Sequence, residues 1–131
     1  MGRATGGRLT RDYLWDNDGD ACRYAQIEKC KGGLILVGSR LPNGYKLYDM
    51  IGNAWEWTAS PWRTNRNEIP ANGRDTAGGS ESRVLRGASS DNQVQGGGGD
   101  GGAPRLSGRG NFSPGSRGDD VGFRLVARIA P

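Results

Sequence analysis

The sequence predicts a loop-rich single domain in which a few short β-strands carry the order. Three observations point there. The chain has 131 residues with 24 glycines, only 34% hydrophobic residues, and a mean hydropathy of −0.71. That length suits one domain with a real core but not two. The heavy anchors, four Trp and four Tyr, all precede Arg63, so the core is concentrated in the first half. Finally, the apolar and β-branched residues that alternate with polar ones do so in short blocks, a strand signature.

Taken in chain order, residues 1–12 are polar and Gly-rich and read as an N-terminal arm or a short edge strand. Tyr13-Leu14-Trp15 is a small apolar cluster, followed by the turn-rich Asp16-Asn17-Asp18-Gly19-Asp20. That run looks like the start of a calcium loop. The twelfth position, however, is Ile27 rather than Glu, which rejects an EF-hand. Cys22 and Cys30 can pair, but with no secretory context the preferred reading is two ordinary thiols. Leu34-Ile35-Leu36-Val37-Gly38 is a strand candidate or the apolar wall before a loop. Leu41-Pro42-Asn43-Gly44-Tyr45 is a turn with Asn-Gly at its tip. Residues 64–82 lack periodicity and read as a long surface loop.

Two framework-like blocks dominate the C-terminal third. Arg83-Val84-Leu85-Arg86-Gly87-Ala88-Ser89 and Val121-Gly122-Phe123-Arg124-Leu125-Val126 read as strands, the second closing the core. Between them lies a soft insert that includes Gly96-Gly97-Gly98-Gly99-Asp100-Gly101-Gly102. An insert held in this way is either a linker or a displayed surface.

Charge and composition narrow the function. The net charge is +4, but the arginines are spread along the chain among aspartates, with no basic helix, so nucleic acid is not expected as a partner. No apolar run approaches the roughly 18 residues of a membrane span. No secretory signal is visible at the N-terminus; the location stays open, with virion-associated and cytoplasmic as the two options. With two cysteines and no histidine, the common zinc sites are excluded.

The densest local signal is Leu47-Tyr48-Asp49-Met50-Ile51-Gly52-Asn53-Ala54-Trp55-Glu56-Trp57-Thr58. A turn at Gly52-Asn53 delivers two indoles which, on a strand, share one face, with Glu56 on the other. Asp49, Glu56 and nearby carbonyls can form an oxygen-rich cage suited to a hard cation.

Residues 44–57, with the blocks at 83–89 and 121–126 in the same order, resemble the formylglycine-generating-enzyme family. Pro42-Asn43-Gly44 and Cys22-Arg23-Tyr24-Ala25 fit its upstream pattern more loosely. The resemblance implies an α+β domain over residues 1–131 with a C-type-lectin-like fold, short twisted antiparallel sheets and much irregular loop. It also implies a structural calcium site at Asp49, Gly52, Ala54 and Glu56, with no other cofactor required. The oxidases of the family carry reactive cysteines just after the position of Ser89, where this chain has Ser90-Asp91-Asn92-Gln93-Val94-Gln95-Gly96. The sulfoxide synthases need histidines, and this chain has none. Both enzyme branches lack their chemistry here. The family's enzymes also have a longer N-terminal half; either Arg8 to Leu14 supplies a substitute strand pairing near Ile129, the favoured reading, or the missing portion comes from elsewhere.

The remaining branch is similar to the variable proteins of diversity-generating retroelements, whose C-terminal segment is rewritten by adenine-directed mutagenesis. Rewritten Asn codons do not reach Lys, Glu, Gln, Met or Trp; residues 87–123 contain no Lys, Glu, Met or Trp, and the exceptions, Gln93 and Gln95, are read as fixed positions. The expected function is non-enzymatic binding of a protein or cell-surface ligand through residues 87–123. The expected exposed contacts are Ser90, Asp91, Gln93, Gln95, Gly97, Gly99, Asp100, Ser107, Arg109, Ser113, Ser116 and Asp119, with no catalytic residue. Two other functions compete: an oxidase-like paralogue, and a structural phage or surface component whose glycine run is a spacer. The ligand, the oligomeric state and the host particle stay open.

Overall fold

A computed structural model describes residues 20–65, 67, 81–91 and 105–127. The described residues include two complete 3-10 turns, Ala21–Arg23 and Glu28–Cys30. The Asp20 carboxylate opens the first by accepting the Cys22 N–H at 3.0 Å, satisfying a donor that a helix start leaves orphaned. The two turns bring Cys22 and Cys30 to a Cα separation of 5.5 Å, and the pair is a disulfide rather than two thiols. Sequence spacing could not decide this, because the approach depends on how the chain folds between the turns.

Four short strands follow: β1 (Trp55–Pro61), β2 (Arg83–Arg86), β3 (Gly110–Phe112) and β4 (Val121–Gly122). They form one sheet in the order β3-β2-β1-β4. β1 and β2 are antiparallel, with Glu56 opposite Arg86 and Trp57 opposite Leu85. The register then shifts before Pro61 meets Arg83. Thr58 covers the irregularity: its hydroxyl donates to Val84 O at 2.9 Å and accepts from Ser60 N at 3.3 Å. β3 runs antiparallel to β2, whereas β4 lies parallel to β1 with Trp55 beside Val121.

Among the described residues the core is two small clusters. Trp55, Leu85, Ala88 and Phe112 are buried together, with Trp57 and Val121 packed against them. Trp57 meets Phe112 edge to face at 6.1 Å between ring centroids, so the two indoles share a face as the strand period requires. The second cluster is Ala21, Ala25, Ile27 and Ile51, with Cys30 and Leu106 against it. The disulfide therefore staples the turns that carry this second cluster.

Two expected strands are absent or shortened. Residues 34–38 form no strand, and Leu34, Leu36 and Val37 are exposed. Ile35 instead exchanges two hydrogen bonds with the Asn53 side chain, whose Oδ1 accepts from Ile35 N (2.9 Å) and whose Nδ2 donates to Ile35 O (3.2 Å). A carboxamide carries one acceptor and donors, so it can stand in for a rung of a β-ladder without a partner strand. The block at 121–126 is strand only as far as Gly122 and does not close the core: Phe123, Leu125 and Val126 are 73%, 84% and 89% exposed. Pairing with β1 ends at Gly122, and the Arg124 side chain turns to Glu56, Tyr48 and Asp49 instead. The arm at 1–12, the Tyr13–Trp15 cluster, the pairing of Arg8–Leu14 with Ile129, the middle of the 64–82 loop and the glycine run lie outside the described residues.

Candidate ligand-binding surface

The Gly52-Asn53 turn is the hub from which the surface is built. Asn53 sits at φ 67°, in the left-handed region that Asn tolerates better than most residues. Its N–H donates to Gln26 O at 2.7 Å and its carbonyl accepts the Ser90 N–H at 2.8 Å. With the two side-chain bonds to Ile35, all four of its polar groups are used. Gly52, at φ 81°, lies against the Gln26 backbone: a Cβ there would be 2.8 Å from the Gln26 carbonyl carbon and closer still to its oxygen. Gly52 N in turn donates to Gly87 O at 2.6 Å. Gln26 is itself buried, its amide donating to Lys31 O and Gly33 O and accepting from Arg40.

This hub holds the entrance to the insert. Beyond β2, the buried Ser89 donates its hydroxyl to Asp91 Oδ1 at 2.8 Å, and Ser90 is bonded to Asn53. The exit is held by Arg86. Its guanidinium donates to Leu106 O at 3.0 Å, Ser107 O at 3.0 Å and Gly108 O at 2.7 Å. Sequence reasoning did not single out Arg86. The available signal was its place in Arg83-Val84-Leu85-Arg86: on a strand it must face away from the buried Leu85. Because β2 ends where β3 begins, and β1 and β4 begin there too, Asp91, Ser107 and Asp119 come to one end of the sheet.

The expected contact residues divide accordingly. Asp91, Ser107, Ser113 and Asp119 are exposed, and Ser116 is half-buried. Ser113 follows the far end of β3 and is not brought to the Asp91 end. Ser90 is buried, not displayed, because its position is set by the bond to Asn53. Arg109 is half-buried, with its guanidinium 4.3 Å from the Trp62 ring centroid and donating to Arg63 O at 3.1 Å. Stacking of this kind fixes the side chain, so Arg109 braces the surface. Gln93, Gln95, Gly97, Gly99 and Asp100 lie outside the described residues.

The acidic residues behind the tryptophan block are arranged differently from a cation cage. Arg124 Nε donates to Glu56 Oε2 at 2.9 Å and Oε1 at 3.2 Å, and Nη2 also bonds Oε1. The same guanidinium reaches Tyr48 O at 3.1 Å and Asp49 O at 3.2 Å. The Glu56 hydrogen bond holds the Arg124 guanidinium above its ordinary pKa against the opposing effect of burial; the charges of Glu56 and Asp49 add to the rise. Asp49 Oδ2 accepts from Gly38 N at 2.7 Å, while its Oδ1 is buried with no hydrogen-bond partner among the described residues. That orphaned oxygen alone suits a calcium ligand. Glu56, the other carboxylate of the expected set, is instead committed: both its oxygens face a fixed positive charge.

A small sheet, two tryptophans on one face and a long insert pinned at both ends define a C-type-lectin-like domain of the formylglycine-generating-enzyme type. The sequence profile of the sulfatase-modifying factor enzyme 1-like domain matches residues 3–129, and the chain belongs to that family. It is 39% identical over 135 residues to the Mus musculus protein named inactive C-alpha-formylglycine-generating enzyme 2, covering 95% of this chain and 39% of that one. A shorter stretch of 58 residues is 40% identical to the formylglycine-generating enzyme of Bos taurus, covering 44% of this chain and 15% of the enzyme. Among solved structures, Treponema denticola variable protein 1 superposes with a TM-score of 0.71 at 29% identity, covering 92% of this chain and 41% of that chain. PvdO from Pseudomonas aeruginosa superposes with a TM-score of 0.67 at 27% identity, covering 92% and 48%. The chain thus spans under half the length of these relatives.

Proposed function

We propose that this chain is a non-enzymatic binding protein whose segment 87–123 presents a surface diversified by a retroelement through adenine-directed mutagenesis, for recognition of a protein or cell-surface ligand. The observation that carries this reading is the pinning of the insert at both ends by Asn53 and Arg86, two residues outside the diversified segment. A surface meant to change needs its scaffold fixed elsewhere. The chemistry of the chain agrees. Its two cysteines are bonded to each other, so no thiolate is available, and it has no histidine. The names of two relatives, one an inactive enzyme and the other a variable protein, support the same reading.

Sequencing the gene and its flanking DNA across isolates tests the proposal. Differences should concentrate at adenines in codons 87–123, with a near-copy of that segment beside a reverse-transcriptase gene. Differences spread evenly along the gene, with no near-copy, would overturn it in favour of a structural surface component. In parallel, a peptide bearing a sulfatase-type cysteine motif should keep its thiol on incubation with the protein, as read by mass spectrometry.

A further inference from the structure

The geometry around Glu56 points to Arg124 as the resident cation of the Tyr48–Glu56 turn, so that this chain holds the turn without calcium. Three facts lead there. The Arg124 guanidinium lies against both oxygens of Glu56 and the carbonyls of Tyr48 and Asp49, which come from two separate stretches of chain. A planar fork of N–H donors suits a carboxylate and diverging carbonyls, and it carries its charge at every accessible pH. A calcium ion needs six to eight oxygens, and here the Glu56 carboxylate and the Asp49 carbonyl are already committed to a positive group.

The consequence is mechanical as well as electrostatic. β4 contributes only two residues to the sheet, and the segment after it is exposed. Arg124 ties that segment to β1 through Glu56 and to the turn through Tyr48 and Asp49. One side chain thus joins the end of the diversified segment to the tryptophan block.

Thermal melts of the full chain, with calcium in millimolar excess or with a chelator, test this, paired with terbium titration read through tryptophan-sensitised emission. Wild type should melt at the same temperature in both conditions and sensitise no terbium. R124Q should melt about 5 °C or more lower in chelator, on the scale that about 1 kcal/mol produces in a domain this size. R124K, which keeps the charge but not the fork, should recover only part of that loss. Calcium raising the wild-type melting temperature by several degrees would overturn the proposal, as would R124Q melting like wild type in chelator. Should R124Q fail to fold, E56Q gives the same decision: a melting temperature unchanged from wild type in chelator sinks the proposal, and a lowered one supports it.

Discussion

Asn53 and Gly52 show how much of this molecule rests on single residues. Asn53 uses its N–H, carbonyl and both side-chain polar atoms on three different segments, at Gln26, Ile35 and Ser90. N53A removes the two bonds to Ile35 and should cost about 2 kcal/mol in a denaturant melt. Gly52 is less replaceable still. A methyl group there meets the Gln26 backbone, which cannot swing aside as a flexible side chain would, and φ is 81°. G52A should lose roughly 3 kcal/mol or more, or fail to fold. Gly87 provides the control: at φ 97° its nearest would-be contact is 3.7 Å away, so G87A should cost only the backbone term, about 1–2 kcal/mol. A melt series in which the two alanines behaved alike would count against this account of the hub.

At the scale of elements, the strands differ in how far the sequence announced them. β1 was legible from its two tryptophans spaced two apart and β2 from its β-branched and apolar pair between arginines, and Trp57 opposite Leu85 joins the two. The run at 34–38 has the composition of a strand, but its rung is supplied by an asparagine side chain, a partner that periodicity cannot reveal. The block at 121–126 looked like a full strand because apolar residues recur in it; a side-chain ion pair beyond Gly122 replaces further ladder bonds. Of the surface, exposure was legible at Asp91, Ser107, Ser113 and Asp119, but the roles of Arg86 and Trp62 were not, since each depends on a distant segment. Two measurements belong at this scale. R86A strips three carbonyls of a charged donor and should cost about 2 kcal/mol, with faster amide exchange confined to the neighbourhood of residues 105–109. Replacing both cysteines by serine should cost about 2–3 kcal/mol, the value for closing a loop of this length, and a wild-type protein indifferent to reductant would contradict it.

For the molecule as a whole, the division between frame and surface makes opposite predictions for substitutions of similar severity. Changing Ser107, Ser113 and Asp119 together to asparagine should leave stability within about 0.5 kcal/mol per site, because exposed side chains carry little of the fold. W55A removes the largest side chain of the sheet cluster and should cost about 3–5 kcal/mol, much of the stability a small domain has. If the triple variant melted as low as W55A, the surface would be part of the frame and could not vary. The junctions add something to this division. What the insert offers to Asn53 is an amide hydrogen, at Ser90, and what it offers to Arg86 is three carbonyl oxygens. These are main-chain atoms, which all twenty residue types possess except for proline's missing hydrogen. The bonds to Asn53 and Arg86 are therefore blind to spelling, apart from proline at position 90. The fit around them is not: Ser90 is buried and a Cβ at Gly108 would lie 3.0 Å from Arg105 O, so both positions favour small residues.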